Sequence, residues 1–359
     1  MQNFYITNNS ALDLAVSMIK EAKLVAIDTE FTREKTYYPI LSLIQIAVQN
    51  SGKKKSFIID CLSGIDLQPI LQIMSDDQVT KILHSSLQDL QIFYQKNNAV
   101  PASIMDTQIM ANFCGFGFNV GYSNLVENFC KIDIDKTLQR SDWQRRPLMQ
   151  SQIDYALLDV LYLEEINHKL LEILEKNGRK DWYFEEIKNF IAKSIYQKEE
   201  SLYKSFSLNK KSSGKKSAKQ IAQIKKLILW RENCAKELDI PRQHFLKDEM
   251  IDRIVSEEYF DLSFDLRGMN ADEIRRILAS ADECLVEEKN FFMSGKQKKL
   301  YEEAKKLIAK IAQEENLQEQ FLITSSALKS IICDCETIDE LVIGWRYQIF
   351  GKKLEQLIS

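Results

Sequence analysis

Leu24-Val-Ala-Ile-Asp-Thr-Glu-Phe31 is the stretch on which the fold turns. Four apolar residues running straight into polar ones read as a buried central strand whose end carries chemistry. Side chains alternate along a strand, so Asp28 and Glu30 project from one side of that end. Two carboxylates held so close repel each other unless a cation or a shared proton intervenes. The pair is expected to form half of a divalent-metal site.

Outward from this strand lie 359 residues, more than one ordinary domain, so two or three domains are expected. The 45% apolar fraction supports sizeable cores. No segment approaches the roughly 18 uninterrupted apolar residues of a membrane span, and the N-terminus lacks a basic-then-apolar leader. A cytoplasmic protein with no membrane partner is the expectation. Seven scattered cysteines without a Cys-x-x-Cys, and three histidines, argue for reduced thiols rather than zinc. The net charge of -4 excludes a uniformly basic nucleic-acid binder but leaves room for a local basic track.

Before the central strand, Ser10 to Glu21 has helical periodicity with Ser10 as N-cap. After it, Ile40 to Val48 and Phe57 to Asp60 read as strands, their short links suggesting an antiparallel meander. Val79 to His84 is a further strand, and Ser85 with Gln88 forms a capping-box pattern for the next helix. Asp89 falls in that helix's first turn, where it complements the helix dipole or does more. Ile104 to Cys114 holds a last short strand and a helix. In Arg140-Ser-Asp-Trp-Gln-Arg-Arg-Pro147, the arginines either contact phosphates around a base on Trp143 or belong to a solvated loop. Ser151 with Asp154 opens a helix expected to run through Leu174, and Tyr155 and Asp159 share one face of it.

From Asp181 the pattern is helical. Between Lys204 and Lys226 lie eight lysines and no acid, a basic linker centred on Ser212, Ser213 and Gly214. Helices follow over Ile221 to Leu238, Asp248 to Ser256 and, capped by Asn270 or Asp272, Glu273 to Ala281. A second helical stretch covers Lys298 to Glu315, a short helix through Ile332, and Ile338 to Leu357 around Trp345. The two stretches are similar enough to suggest a diverged duplication.

Asp28, Glu30, Asp89 and Asp159 thus become one candidate constellation. Hard oxygen ligands in this number suit Mg²⁺ or Mn²⁺. Two such ions about 4 Å apart serve in-line phosphoryl displacement, so phosphodiester hydrolysis is the implied chemistry. Tyr155 lies one turn before Asp159. A phenol with its usual pKa of about 10 is a poor base at neutral pH, and its expected task is to orient the attacking water.

Three segments now carry a family resemblance. Asp28-Thr-Glu-Phe-Thr-Arg-Glu-Lys-Thr-Tyr-Tyr-Pro39, His84-Ser-Ser-Leu-Gln-Asp89-Leu and Tyr155-Ala-Leu-Leu-Asp159 resemble, in order, the exonuclease motifs of the DEDD superfamily, tyrosine branch. The Leu-Ile-Gln strand, Asp106-Thr-Gln and Asp142-Trp before Arg-Pro147 resemble the ribonuclease D family more narrowly. Leu229-Trp-Arg231, Asp239-Ile-Pro241 and Asp248 resemble an HRDC domain, and Gly344-Trp-Arg with Gly351-Lys-Lys-Leu that family's second HRDC-like unit.

The resemblance implies an α/β, ribonuclease-H-like mixed five-stranded sheet flanked by helices, then two all-α HRDC-like bundles. Its domains would be a 3′-5′ exonuclease over 1-200, a basic linker over 201-219, an HRDC domain over 220-295 and a second over 296-359. The implied activity is metal-dependent 3′ to 5′ hydrolysis of RNA with a free 3′ end, tRNA precursors among it, releasing nucleoside 5′-monophosphates from a monomeric enzyme. Asp28, Glu30 and Asp159 would hold the tighter of two divalent cations, Asp28 would bridge to the second, Asp89 would support that one, and Tyr155 would position water. Phe31 would stack on terminal bases, His84 would touch the substrate end, and Arg145 and Arg146 would contact RNA. A core Phe31 and a hydrogen-bonded structural His84 are the plainer alternatives. The acids Asp261, Asp265, Asp272, Glu287 and Glu288 shift the expected salt-dependent attraction onto the lysine linker. Two other functions stay open at this point, a 3′-5′ DNA exonuclease and an inactive exonuclease fold that binds RNA.

Overall fold

The structure, a computed structural model, describes residues 2–50, 52–195, 202–203, 216–256, 271–280 and 293–359. Most of the lysine linker, the Asn270 cap and the acids Asp261, Asp265, Glu287 and Glu288 lie outside the described residues. The chain forms two units. Met1–Thr32, Leu41–Ile195 and Phe291–Ser359 make the first, and Arg33–Ile40 with Tyr196–Asn290 makes the second.

The first unit is built on a six-stranded mixed sheet. Its strands are β1 (Gln2–Ile6), β2 (Leu24–Thr32), β3 (Ile40–Asn50), β4 (Lys53–Asp60), β5 (Thr80–Leu83) and β6 (Ile104–Asp106), in spatial order β1-β4-β3-β2-β5-β6. The sequence predicts five strands, and the sixth is β1. It pairs in parallel with β4 from Gln2↔Lys55 to Ile6↔Ile59, yet only Ile6 of its five residues is buried. An edge strand so weakly apolar leaves little alternation to read. β3 and β4 pair antiparallel from Leu43↔Asp60 to Asn50↔Lys53, as the meander predicts. β2–β5 and β5–β6 are parallel. The motif strand β2 therefore lies at the centre of the sheet, between β3, which pairs antiparallel with β4, and the parallel strands β5 and β6, and sites in α/β sheets collect at strand ends.

The two sheet faces are covered by different helices. Val25, Ile27, Ile44, Ile46, Val48, Phe57 and Ile59 share a core with α1 (Asn9–Ala22), α2 (Gln68–Ser75) and α3 (Leu87–Asn97). Residues of the opposite parity, Leu43 and Ile58 with Tyr155, Ala156 and Leu157, and Ala26, Ala47 and Ile82 with Val160, receive α6 (Gln150–Leu161). Between these come α4 (Thr107–Phe113) and α5 (Tyr122–Cys130), followed by α7 (Leu163–Lys176) and α8 (Lys180–Ile195).

Three helix starts differ from the sequence reading, each because another donor or acceptor competes. α1 is capped by Asn8, whose side chain accepts from the Ala11 amide at 3.0 Å, instead of Ser10. α3 lacks a side-chain cap, because the Ser86 hydroxyl donates to Asp106 at 2.7 Å. α6 starts before Ser151, with the Gln152 carbonyl accepting from the Met149 amide at 3.0 Å. The predicted continuous helix through Leu174 is also two helices. The Tyr122 hydroxyl donates to the Leu158 carbonyl at 2.9 Å and accepts the Tyr162 amide at 3.2 Å, standing between two groups that would otherwise bond to each other. A side chain inserted into the ladder breaks a helix there.

The closing stretch contains helices Gly295–Glu314, Glu319–Leu322, Ser325–Ile332, Ile338–Leu341 and Lys352–Ile358. The expectation for 296-359 is a bundle of its own, and the predicted last helix is unbroken. Instead, these residues bury their apolar faces in the core of the sheet unit. Trp345, fully buried, meets Phe113 at 5.0 Å and Phe321 at 5.3 Å between ring centroids and stacks on Trp182 at 5.7 Å. Arg179 donates to the carbonyls of Phe113 and Glu315 at 2.9 and 2.6 Å, and Arg346 grips Glu186 with two nitrogens at 2.5 and 3.0 Å. Gly115, at φ 83°, presses so close to Asn316 that a Cβ would sit 2.3 Å from its amide nitrogen.

The second unit has a core of Leu202, Ile224, Leu227, Ile228, Leu246, Ile251, Ile254 and Ile274. Its helices among the described residues are Ala218–Glu237, Arg242–Phe245, Asp248–Ser256 and Ala271–Ala279. The strap Arg33–Ile40, which joins β2 to β3, belongs here. The buried Tyr37 hydroxyl donates to Glu232, and the Tyr38 amide donates to Asp239 at 2.9 Å.

Duplication is visible in the hydrogen bonds. Ser217 and Ser294 cap helices of 20 residues each, and both boxes close on a glutamine, Gln220 or Gln297. Those glutamines donate onward to the carbonyls of Val255 and Ile332 at 3.3 and 3.1 Å. Asp239 and Asn316 turn the chain after the helix at φ 49° in both cases. Every pair is related by the same offset, and the helices Arg242–Phe245 and Glu319–Leu322 obey it too.

Candidate active site

Each carboxylate of the candidate site arrives from a different direction. Alternation puts Asp28 and Glu30 on the β2 face that α6 covers, while Thr29 points to the α3 side. α6 then brings Asp159 against the first two, so that one oxygen from each of Asp28, Glu30 and Asp159 lies within 4.8 Å of the others. Asp89, 6% exposed, comes from the other layer and accepts a hydrogen bond from Thr29. The Tyr155 ring packs beside Trp143 at 6.1 Å, with its hydroxyl toward Asp159. All five line a cavity of about 390 Å³.

The turn that aims Asp89 is fixed by Asp106. Its carboxylate accepts from the amides of Ser85, Ser86, Gln108 and Ile109 and from the Ser86 hydroxyl, at 2.7 to 3.3 Å. α6 is fixed at its other end, where Lys54 donates to the Leu161 carbonyl at 2.7 Å. A cation at a helix C-terminus satisfies a free carbonyl and suits the dipole.

Burial and mutual repulsion dominate the electrostatics. Burial, then Asp159, Asp89 and Glu30, push Asp28 well above the carboxylate range, and burial with Asp159 and Asp89 pushes Glu30 up to about 9. Burial lifts Asp89 to about 7 against the Thr29 hydrogen bond, and Asp159 to about 7 against the one from Tyr155. Acids in this position ionise together only with a counter-cation beside them. The donor set is all hard oxygen, and the cluster fits a divalent metal on both counts. Burial, followed by these acids, raises the Tyr155 phenol, which therefore stays protonated at neutral pH and acts as a donor.

The expected RNA contacts separate. Phe31 is half-buried, packs partly on the core and lines the cavity. His84 lines it too, but its Nε2 faces the Val120 carbonyl at 3.0 Å and its Nδ1 the Thr107 hydroxyl at 2.9 Å. Both ring nitrogens are spent on the protein. Arg146 spends all five of its donors: Asp60 takes two at 2.6 and 2.7 Å, and the carbonyls of Ser42, Trp143 and Arg145 take the rest. It is an anchor of the loop with nothing left for a phosphate. Arg145 is exposed, and its side chain has no such partner among the described residues.

Sequence reasoning misses three residues here. Thr29 sits inside the motif but only its strand parity shows that it reaches Asp89. Tyr122 opens α5 directly after Gly121 and carries no spacing signal. Lys136 is the single Lys or Arg among the residues lining the cavity, and it is exposed. Nothing in the composition of its loop marks it.

A mixed sheet with acids at the end of its central strand, and a tyrosine and an acid one turn apart on the covering helix, defines a 3′-5′ exonuclease. Residues 3–175 match the 3′-5′ exonuclease family. Over 99% of this chain, ribonuclease D of Bartonella henselae is 31% identical with 89% of its length covered, and that of Sphingobium indicum is 32% identical with 94% covered. The crystal structure of Escherichia coli RNase D superposes with a TM-score of 0.82 at 26% identity, covering 100% of this chain and 99% of that one. The catalytic core of RRP6 from Trypanosoma brucei shares the fold, with a TM-score of 0.59 at 17% identity over 79% of this chain and 80% of that one. The chain belongs to the ribonuclease D family and is an exoribonuclease.

Proposed function

We propose that this exoribonuclease shortens structured RNA from its 3′ end, tRNA precursors included, releasing nucleoside 5′-monophosphates. The observation that carries the reading is the convergence of Asp28, Glu30 and Asp159 within 4.8 Å, with Tyr155 on Asp159. In this reading those three acids would hold one divalent cation, Mg²⁺ or Mn²⁺, and Asp28 together with Asp89 would help to hold a second. Two such ions, when bound, supply positive charge to the attacking and leaving oxygens. Tyr155, its phenol still protonated, donates a hydrogen bond that would hold the attacking water in line with the scissile phosphorus. Phe31 offers its ring to the terminal base, and Lys136 offers its ammonium to the backbone phosphate.

The structured substrate is supported by the E. coli relative, described as an exoribonuclease involved in structured RNA processing. No helix among the described residues is long and apolar enough to cross a membrane. The reading is completed by a monomer working in the cytoplasm. It is tested with a 5′-labelled RNA carrying a short 3′ overhang, beside the same DNA, in Mg²⁺, in Mn²⁺ and in chelator. A metal-dependent ladder shortening from the 3′ end, with RNA preferred, is expected. Binding without shortening would make the chain an inactive RNA-binding module, and preference for DNA would make it a DNA exonuclease.

A further inference from the structure

Beside the carboxylate cavity lies a second one, of about 500 Å³, and Ser85 and Gln108 line both. Its size falls within the roughly 300 to 1,000 Å³ usual for small-molecule sites. Part of its wall is apolar and aromatic. Phe118 and Leu87 are 41% and 42% exposed, and Phe321 stands 6.4 Å from Phe118, ring to ring.

The charges on its lining are already neutralised. Arg346 is held by Glu186 and by the carbonyls of Phe321 and Leu322, and Asp106 is saturated by the turn it organises. A phosphate would find no free cation there. What remains free is amide. Asn112 is 6% exposed, and its oxygen accepts from the Asn119 amide, while its NH₂ has no acceptor among the described residues. Gln108 spends its nitrogen on the Val120 carbonyl and keeps its oxygen. Gln320, at the rim, makes no side-chain hydrogen bond among the described residues.

A flat, uncharged ring with a hydrogen-bonding edge fits such a lining, and a nucleobase is that ligand. Unpaired RNA bases are held in this manner, stacked on aromatic side chains with their edges on polar groups. Because the two cavities adjoin, with Ser85 and Gln108 lining both, we propose that the second receives an unpaired base of the same RNA strand whose 3′ end enters the first. This rests on the exoribonuclease reading above. The pocket then sets how the strand must lie before its end is cut, and it prefers ends with a splayed base.

The test uses the full chain in Mg²⁺ and 5′-labelled RNAs with one abasic nucleotide moved stepwise from the 3′ end. With the unaltered chain, one abasic position is expected to raise KM about fivefold to a hundredfold, the size of a lost base stack, with kcat little changed. Phe118→Ala, at an exposed position, raises KM on intact RNA to the same level and flattens the abasic series. Gln320→Trp, which fills the cavity from its rim, does likewise. A dinucleotide too short to reach both cavities is cut equally by all three.

A flat series with the unaltered chain overturns the proposal. So does a series in Phe118→Ala that matches the unaltered one, or equal loss on the dinucleotide. Adenosine binding lost in Phe118→Ala, together with a flat series, would assign the cavity to free nucleosides instead and overturn the strand-borne base. Absence of any shortening by the unaltered chain would instead refute the exoribonuclease reading itself.

Discussion

At the scale of single residues, Asp28 and Tyr155 separate charge from position. Asp28→Asn keeps the shape of the strand end and removes part of the repulsion among buried acids. Hydrolysis is expected to fall by at least about two orders of magnitude, while the melting temperature in chelator stays level or rises. Tyr155→Phe keeps the ring against Trp143 and removes only the donor, for a loss of about 100- to 10,000-fold in kcat. A near-normal rate for either variant would undo its assignment. Arg146 and Arg145, neighbours in the sequence, are expected to behave oppositely. Burial pushes the Asp60 carboxyl up, but the Arg146 guanidinium, the Tyr5 hydroxyl and the Leu62 amide outweigh it and hold the group below its usual range. A depressed carboxyl adds stability that is complete above its unfolded pKa of about 3.9 and is lost as pH falls through the folded value. Arg146→Ala should therefore cost about 2 to 3 kcal/mol at neutral pH, and chemical denaturation at descending pH should show that cost shrinking below pH 4. Arg145→Ala should leave stability unchanged and reduce the salt slope of RNA binding by about one unit. The sequence shows both arginines but not Asp60, which reaches Arg146 only through the fold.

At the scale of elements, the acids were legible because their constraints are local. Strand alternation places Asp28 beside Glu30, and helical periodicity places Tyr155 with Asp159. The break between α6 and α7 was not legible, since both halves keep an apolar face and the cause sits on α5. Tyr122→Phe removes the hydroxyl that separates the Leu158 carbonyl from the Tyr162 amide. The two can then close on each other, and Asp159 next to them moves. A fall in kcat of up to about 100-fold with a smaller change in KM is expected, measured beside the melting temperature, which should drop by no more than the loss of one hydrogen bond. The duplicated helical stretches show the same limit. Their shared periodicity is readable, yet the equivalent corners have different neighbours: Asp239 receives the strap at Tyr38, and Asn316 receives Gly115. An apolar stripe announces that a helix will be covered without saying by what.

At the scale of the whole molecule, that limit decides what can be cut away. Read from sequence alone, residues 296-359 look separable, and removing everything after about Lys210 should spare action on short RNA. The core shared by Phe113, Tyr183 and Trp345 says otherwise. Trp345→Ala is expected to cost about 3 to 5 kcal/mol. Deleting 293–359 should leave the sheet unit without cooperative thermal unfolding and without activity on short and folded RNA alike; a truncated chain that still trims short RNA would show the closing helices to be dispensable. The strap adds a second long-range dependence, because Tyr37 waits for Glu232 while the chain between them is made. Order of synthesis then becomes a form of restraint. Asp28 and Glu30 leave the ribosome early, but the core of the sheet unit is not complete until Trp345 has emerged. A nuclease assembled in this order is expected to stay inert until that core closes, and nascent chains stalled short of residue 345 should cut nothing.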